Sequence, residues 1–157
     1  MTVFRLTDYL EHIQQALAQA RDHVGDMRKD AFLADLRTQQ AVTMNLIIIG
    51  EAANKIAAND AAFVQAHPDF PWQGVRGMRN RMVHGYFDIN LDVVWDTVKD
   101  DFPGMKQQVD GFLTEHRQAQ QTEHRQAQQN EREQEEAFNR ALAEARREDE
   151  QDLTRKL

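Results

Sequence analysis

The chain reads as an all-α protein, an antiparallel helical bundle with a C-terminal helical extension. Three observations predict this. Apolar residues recur at three- and four-residue steps through most of residues 6–113, the period of helices that each bury one face. No alternation of apolar and polar residues and no hairpin dipeptide suggests a strand. Near the C-terminus Glu136, Arg140 and Glu144 form a four-spaced charge ladder of the kind that supports a solvated helix.

Leu6, Leu10, Ile13, Leu17 and Val24 define the first helix, with Thr7 or Asp8 as N-cap and Gly25 as the stop. A second helix is predicted from about Asp35 to Ala58. Its apolar residues Leu36, Val42, Leu46, Ile49, Ala53 and Ile56, together with Ile47, Ile48 and Ala57, cover more than one stripe. A helix apolar over most of its girth must be buried on several sides, by its own bundle and by a second protomer. Gly50 inside it weakens the isolated helix and points to the close approach of another backbone.

A short helical piece near Asp60 to Ala66 ends at the segment His67-Pro68-Asp69-Phe70-Pro71. Pro71 suits the first turn of the next helix, which carries Trp72, Val75, Met78 and Met82 toward the core and ends beside His84. Asn90 or Asp92 caps another helix with Leu91, Val94, Trp95 and Val98 on one face, and Pro103 is expected to break it. The last core helix starts there, anchored by Met105, Val109, Phe112 and Leu113. Trp72 and Trp95 read as large apolar anchors of the core.

The character changes at Thr114. Residues 114–121 and 122–129 are the same octapeptide, Thr-Glu-His-Arg-Gln-Ala-Gln-Gln, written twice. Eight residues advance a helix by roughly 800°, so equivalent residues shift about 80° around the axis. A coiled-coil seam, which needs a seven-residue repeat, cannot persist through such a segment. Only Phe138, Leu142 and Ala145 make a small apolar stripe further on. The chain therefore divides into a packed unit, residues 1–113, and a polar extension, residues 114–157.

The whole molecule is acidic, with a net charge of -7 and a pI near 5.3, so contact with nucleic acid must depend on a local patch. Cysteine is absent, which excludes disulfides and thiolate metal sites and suits a reducing compartment, with the cytoplasm as the default. Asp8, Glu11 and Gln14 interrupt any signal-like apolar segment at the start, and the apolar stretch from Met44 to Gly50 is far too short to span a bilayer. No membrane association is expected.

One local patch exists. The segment Arg76-Gly77-Met78-Arg79-Asn80-Arg81-Met82-Val83-His84-Gly85-Tyr86-Phe87 holds three arginines and a histidine with no acidic residue among them. If it is helical up to Gly85, a natural residue just past a helix end, Asn80 and His84 stand one turn apart on one face. Arg79 lies roughly 140° around the helix from His84. It shares a site with the histidine only through its long side chain, a distorted last turn, or a facing copy in a dimer. A bland reading also fits: His84 as a favourable charge near the negative end of the helix dipole, and Arg79 paired with a carboxylate such as Glu51. Phe87 reads as packed against the bundle. His116 and His124 are copied with the repeat and are assigned no metal; His12, His23 and His67 show no partner in the sequence.

At these residues the chain resembles the HepT-like toxins of the HEPN superfamily, whose signature is Arg-x4-His followed by x-Tyr, here Arg79 to His84 and Tyr86. Tyr9-Leu10 and Ile13, Ile49-Gly50-Glu51-Ala52-Ala53, Pro71-Trp72 and Trp95 follow the family's pattern in the family's order, and the resemblance covers about residues 7 to 113. It implies a HEPN-like homodimeric bundle acting as a ribonuclease toxin on an RNA substrate, with no cofactor or metal. Arg79, Asn80 and His84 would be catalytic, and Arg76 and Arg81 would bind substrate. It further implies a partner, a nucleotidyltransferase antitoxin of the MNT type, which attaches adenylate to Tyr86 (O-AMP-tyrosine). The alternative is a noncatalytic helical subunit that binds nucleotide or partner for a nucleotidyltransferase. Retention of both Arg79 and His84 favours the enzyme.

Overall fold

The computed structural model describes residues 4–155, apart from the side chains of residues 152–154. It falls into two compact units, residues 1–115 and residues 116–157. The order is α1 (Leu6–Val24), α2 (Lys29–Ala34), α3 (Leu36–Asn59), α4 (Ala61–Ala66), α5 (Trp72–His84), a 3-10 turn (Tyr86–Asp88), α6 (Leu91–Asp96), a π-helical turn (Thr97–Asp101) and α7 (Phe102–Arg155). There is no strand among the described residues, and the all-α bundle is as the sequence predicts. No helix among them is long and apolar enough to cross a membrane.

The core of the first unit forms where the apolar stripes meet. Leu10, Ile13, Leu17 and Val24 of α1 and Val42, Leu46, Ile49, Ala53 and Ile56 of α3 are buried, together with Trp72, Val75 and Met82 of α5 and Met105, Val109 and Leu113 of α7. Met78, Trp95 and Phe112 are half-buried against this cluster. Trp95 packs on Phe32 at 5.4 Å between ring centroids, and the Lys99 ammonium lies over the Trp95 ring at 5.3 Å. Burying aliphatic side chains of this size contributes on the order of 1.5–3 kcal/mol each relative to leaving them in water.

Local chemistry sets several boundaries. The carboxylate of Asp35 accepts from the backbone N–H of Arg37 and Thr38, Asp60 from that of Phe63, and Asn90 from those of Asp92 and Val93, each satisfying donors that a helix start leaves open. Asp35 also accepts from the Thr38 hydroxyl at 2.7 Å, and this hydrogen bond holds its carboxyl below the ordinary value. Gly25 stops α1 with φ 50, a left-handed conformation that suits glycine. In the middle of α1 the Gln14 amide donates to Asp110 of α7, and that bond, with the Lys106 ammonium at 2.7 Å, keeps the Asp110 carboxyl below its usual range.

The structure corrects the sequence reading at several points. Helix α1 begins at Leu6 with Arg5 as its uncapped N-cap residue, so Thr7 and Asp8 lie inside the first turn, where Asp8 pairs with Arg5 at 3.1 Å. Helix α2 was not foreseen: six residues that bury only Phe32 carry no readable period. It is held to α6 by Lys29, whose ammonium lies 3.0 Å from Asp92 and 3.4 Å from Asp96. Pro71 is the N-cap residue of α5 rather than part of its first turn.

The break expected at Pro103 does not occur. Proline has no N–H, and its ring collides with the carbonyl four residues back in a regular helix. The widened turn Thr97–Asp101 precedes it, closed by the N–H of Phe102 donating to Thr97 five residues back, and the chain stays helical into α7. Leu36, counted among the buried positions of α3, is 64% exposed, and Phe87, expected to pack on the bundle, is 96% exposed.

The second unit, taken by itself, is helical through residue 155 and carries the duplicated octapeptide, all but Thr114 and Glu115 of it, on a largely exposed surface. His116 and His124 each meet the glutamine one turn later, Gln120 at 3.2 Å and Gln128 at 2.9 Å, repeating one local contact with the repeat. Phe138 and Leu142 are exposed.

Candidate functional site

The motif segment is helical to its end. Helix α5 closes at His84, and Gly85 follows as C-cap with its N–H donating to the Arg81 carbonyl. Helix α5 lies antiparallel to α3. Arg76 donates to the amide oxygen of Asn54 at 2.6 Å, while Arg79, one turn further along α5, faces Glu51, one turn back along α3.

Gly50 makes this contact possible. A Cβ built there would overlap Arg79 Cβ and lie 2.7 Å from the Val75 carbonyl oxygen, so the arginine's stem occupies the space that a side chain would take. The interior glycine thus reports the close approach expected of it, and the visitor is the stem of Arg79 together with the Val75 carbonyl.

Arg79 is fixed at both ends of its guanidinium. Its Nη2 lies 3.1 Å from Glu51, and its Nη1 donates to Asn80 Oδ1 at 3.0 Å. Its side chain is only 26% exposed, and Nε is buried with no hydrogen-bond partner among the described residues. The structural reading of this residue, a pair with Glu51, is therefore present. It leaves the remaining N–H bonds of the two terminal nitrogens available to a planar anion, since each carries more than one donor.

Asn80 and His84 occupy successive turns of α5 and both are exposed. They do not hydrogen-bond one another: Asn80 accepts from Arg79, and His84 has no hydrogen-bond partner among the described residues. The structure thus joins Arg79 to Asn80 directly and leaves the imidazole exposed one turn beyond Asn80. Arg76 is half-buried and tied to Asn54, while Arg81 turns to another face, where it lines a groove with Asp69, Asp100 and Asp101. Tyr86 follows on the 3-10 turn, half in solvent, with its ring edge-on to Phe87 at 5.7 Å between centroids.

Asn54 was not foreseen as part of this site. The available signal was its helical spacing: Gly50, Glu51 and Asn54 share one face of α3. Among the described residues, no group of three or more His, Asp or Glu side chains could hold a metal ion.

Residues 13–111 match the protein family described as Ribonuclease HepT-like. A protein of Thermococcus cleftensis, provisionally named ribonuclease HepT, is 40% identical over 99 residues, covering 63% of this chain and 87% of its own. One from Methanocaldococcus jannaschii, provisionally named an RNase, is 32% identical over 110 residues, 70% of this chain and 85% of its own. Another, from Caldanaerobacter subterraneus subsp. tengcongensis and named in the same way, is 30% identical over 109 residues, 69% of this chain and 95% of its own. No solved structure matches the chain significantly.

Proposed function

The chain belongs to the Ribonuclease HepT-like family, and from that premise we propose that it is an endoribonuclease toxin that cleaves RNA at the Arg79–His84 site without a metal ion. One observation carries the assignment to these residues. The motif arginine is clamped by Glu51, Asn80 and the missing side chain of Gly50, and the same helix ends on an exposed histidine that has no hydrogen-bond partner among the described residues. A purely structural arginine would not need the histidine.

In the reaction a ribose 2'-hydroxyl attacks the adjacent phosphorus while the His84 imidazole takes its proton. The 5'-oxygen leaves and is protonated in turn, giving a 2',3'-cyclic phosphate on one fragment and a 5'-hydroxyl on the other. Arg79 stabilises charge on the nonbridging oxygens through a fork matched to phosphate. Asn80, already bonded to Arg79, holds the fork or the scissile phosphate, and Arg76 binds a flanking phosphate, while Arg81, turned toward Asp69, Asp100 and Asp101, is left out of that role.

One histidine cannot conveniently serve both nucleophile and leaving group, so the active form is a homodimer whose two motifs face each other. The partner protomer would cover Ile48 and Val83, apolar residues of α3 and α5 that are 37% and 43% exposed. Val83 lies inside the motif, and exposed apolar residues of this kind are what a two-fold interface hides. Light scattering during gel filtration should place RNA cleavage in a dimer peak. A monomer that retains full activity would sink the shared site.

Regulation falls to Tyr86 and a cognate nucleotidyltransferase antitoxin of the MNT type, acting with this chain in the cytoplasm. Transfer of adenylate to the tyrosine hydroxyl would set a phosphodiester anion and a bulky base two residues past His84, where both compete with RNA for Arg79 and Arg76. The half-exposed ring is accessible to such an enzyme. Mass spectrometry after co-expression should find adenylate on Tyr86, and Tyr86→Phe should keep the fold and escape that silencing. Adenylate found at another residue, or none with a competent partner present, removes this role from Tyr86.

The second reading, a noncatalytic subunit that binds nucleotide or partner, draws on the same patch but leaves the retained Arg79 and His84 pair without a task.

A further inference from the structure

Next to the motif, along the line of α5, a cavity of about 430 Å³ opens between the first half of α3 and the turn that carries Tyr86 and Phe87. Its walls are apolar or aromatic: Met44, Tyr86 and Phe87. Its polar groups are Gln39, Gln40 and Thr43. Gln39 donates to the Phe32 carbonyl at 2.9 Å, which fixes the amide and leaves its oxygen as an acceptor. Thr43 is 8% exposed, yet its hydroxyl makes no hydrogen bond among the described residues. Phe87, at 96% exposure, buries almost nothing in its own chain.

A hydroxyl without a protein partner, on an otherwise buried threonine, and an aromatic ring held in water both describe a site suited to something with flat apolar faces and hydrogen-bonding edges. A nucleobase has that chemistry. Single-stranded RNA is read by stacking unpaired bases on aromatic side chains and bonding their edges to amides and hydroxyls. The cavity also begins at Tyr86, two residues past His84.

We infer that this cavity binds the unpaired base flanking the scissile phosphate, with Phe87 as the stacking surface and Thr43, Gln39 and Gln40 bonding the edge of the base. The inference rests on the RNA-cleaving reading above, and it makes the enzyme specific for single strands. Gln40, exposed at the rim, then adjusts which base is preferred.

The test reads binding, so that it does not depend on cleavage. In a His84→Ala background, a short fluorescent single-stranded RNA spanning a site that the wild-type protein cuts is titrated by anisotropy. If wild type cuts no RNA, a mixed-sequence single strand serves instead. Phe87→Ala should weaken binding about tenfold, the worth of one stacked base, and Phe87→Trp should restore it. On oligonucleotides made abasic one position at a time, one position should erase the difference between Phe87 and Phe87→Ala. Equal binding by both proteins on every RNA would overturn the inference. So would conversion of the dimer to a monomer by Phe87→Ala, which would assign the ring to the protein interface. Failure of wild type to cleave any RNA, with the Phe87 effect intact, would count against the catalytic reading alone.

Discussion

Gly50→Ala should destabilise the protein although alanine is the better helix former by about 1 kcal/mol. The added methyl would fall on Arg79 Cβ and within 2.7 Å of the Val75 carbonyl oxygen, and neither is the free end of a flexible chain. Helices α3 and α5 would have to separate, and overpacking of this kind costs about 1–3 kcal/mol net. The midpoint of thermal unfolding should fall by roughly 5 °C or more. Gly111→Ala is the matched control, because a methyl there meets no atom within 4 Å; it should leave stability unchanged or raise it. Since Gly50 lets the Arg79 stem sit where it does, RNA cleavage should fall in Gly50→Ala even at temperatures where the variant is fully folded. A variant as stable and as active as wild type would show that the clamp on Arg79 is not as tight as the packing implies.

Much of this packing is legible in the sequence because its causes are local. Asp35, Asp60 and Asn90 mark helix starts because a short polar side chain reaches donors two or three residues ahead. Gly50 inside an apolar helix announces a close neighbour, though not which one. Glu51 could be named as a partner for Arg79 because a half-buried arginine needs a carboxylate.

What was not legible depends on tertiary geometry. Helix α2 is too short to show a period, and it is held by Lys29 bridging to Asp92 and Asp96, some sixty residues away. The π-helical turn reconciles Pro103 with a continuing helix by a backbone adjustment that no residue type announces. Phe87 looks like core by composition, and only the fold shows its ring standing in solvent. The link between Arg76 and Asn54 likewise needs the register of α3 against α5.

His84→Ala should remove RNA cleavage while leaving the fold intact, because the imidazole is exposed and has no hydrogen-bond partner among the described residues to lose. Positioned proton transfer is worth about 10²- to 10⁴-fold in rate, and residual activity should lie that far below wild type. Arg79→Ala should lose a comparable amount but carry a stability cost as well, since it takes from Glu51 the nearer of its two cations, leaving Lys55 at 3.9 Å, and from Asn80 its donor. Arg79→Lys keeps the charge without the planar fork and should recover stability better than rate.

The most direct measurement follows the RNA products of wild type and His84→Ala, side by side, in excess EDTA. Mass spectrometry of the new 3' ends should find 2',3'-cyclic phosphate with wild type and no new ends with the variant. Equal cleavage by the two folded proteins, or wild-type activity abolished by the chelator and restored by a divalent ion, would contradict metal-independent catalysis at Arg79 and His84.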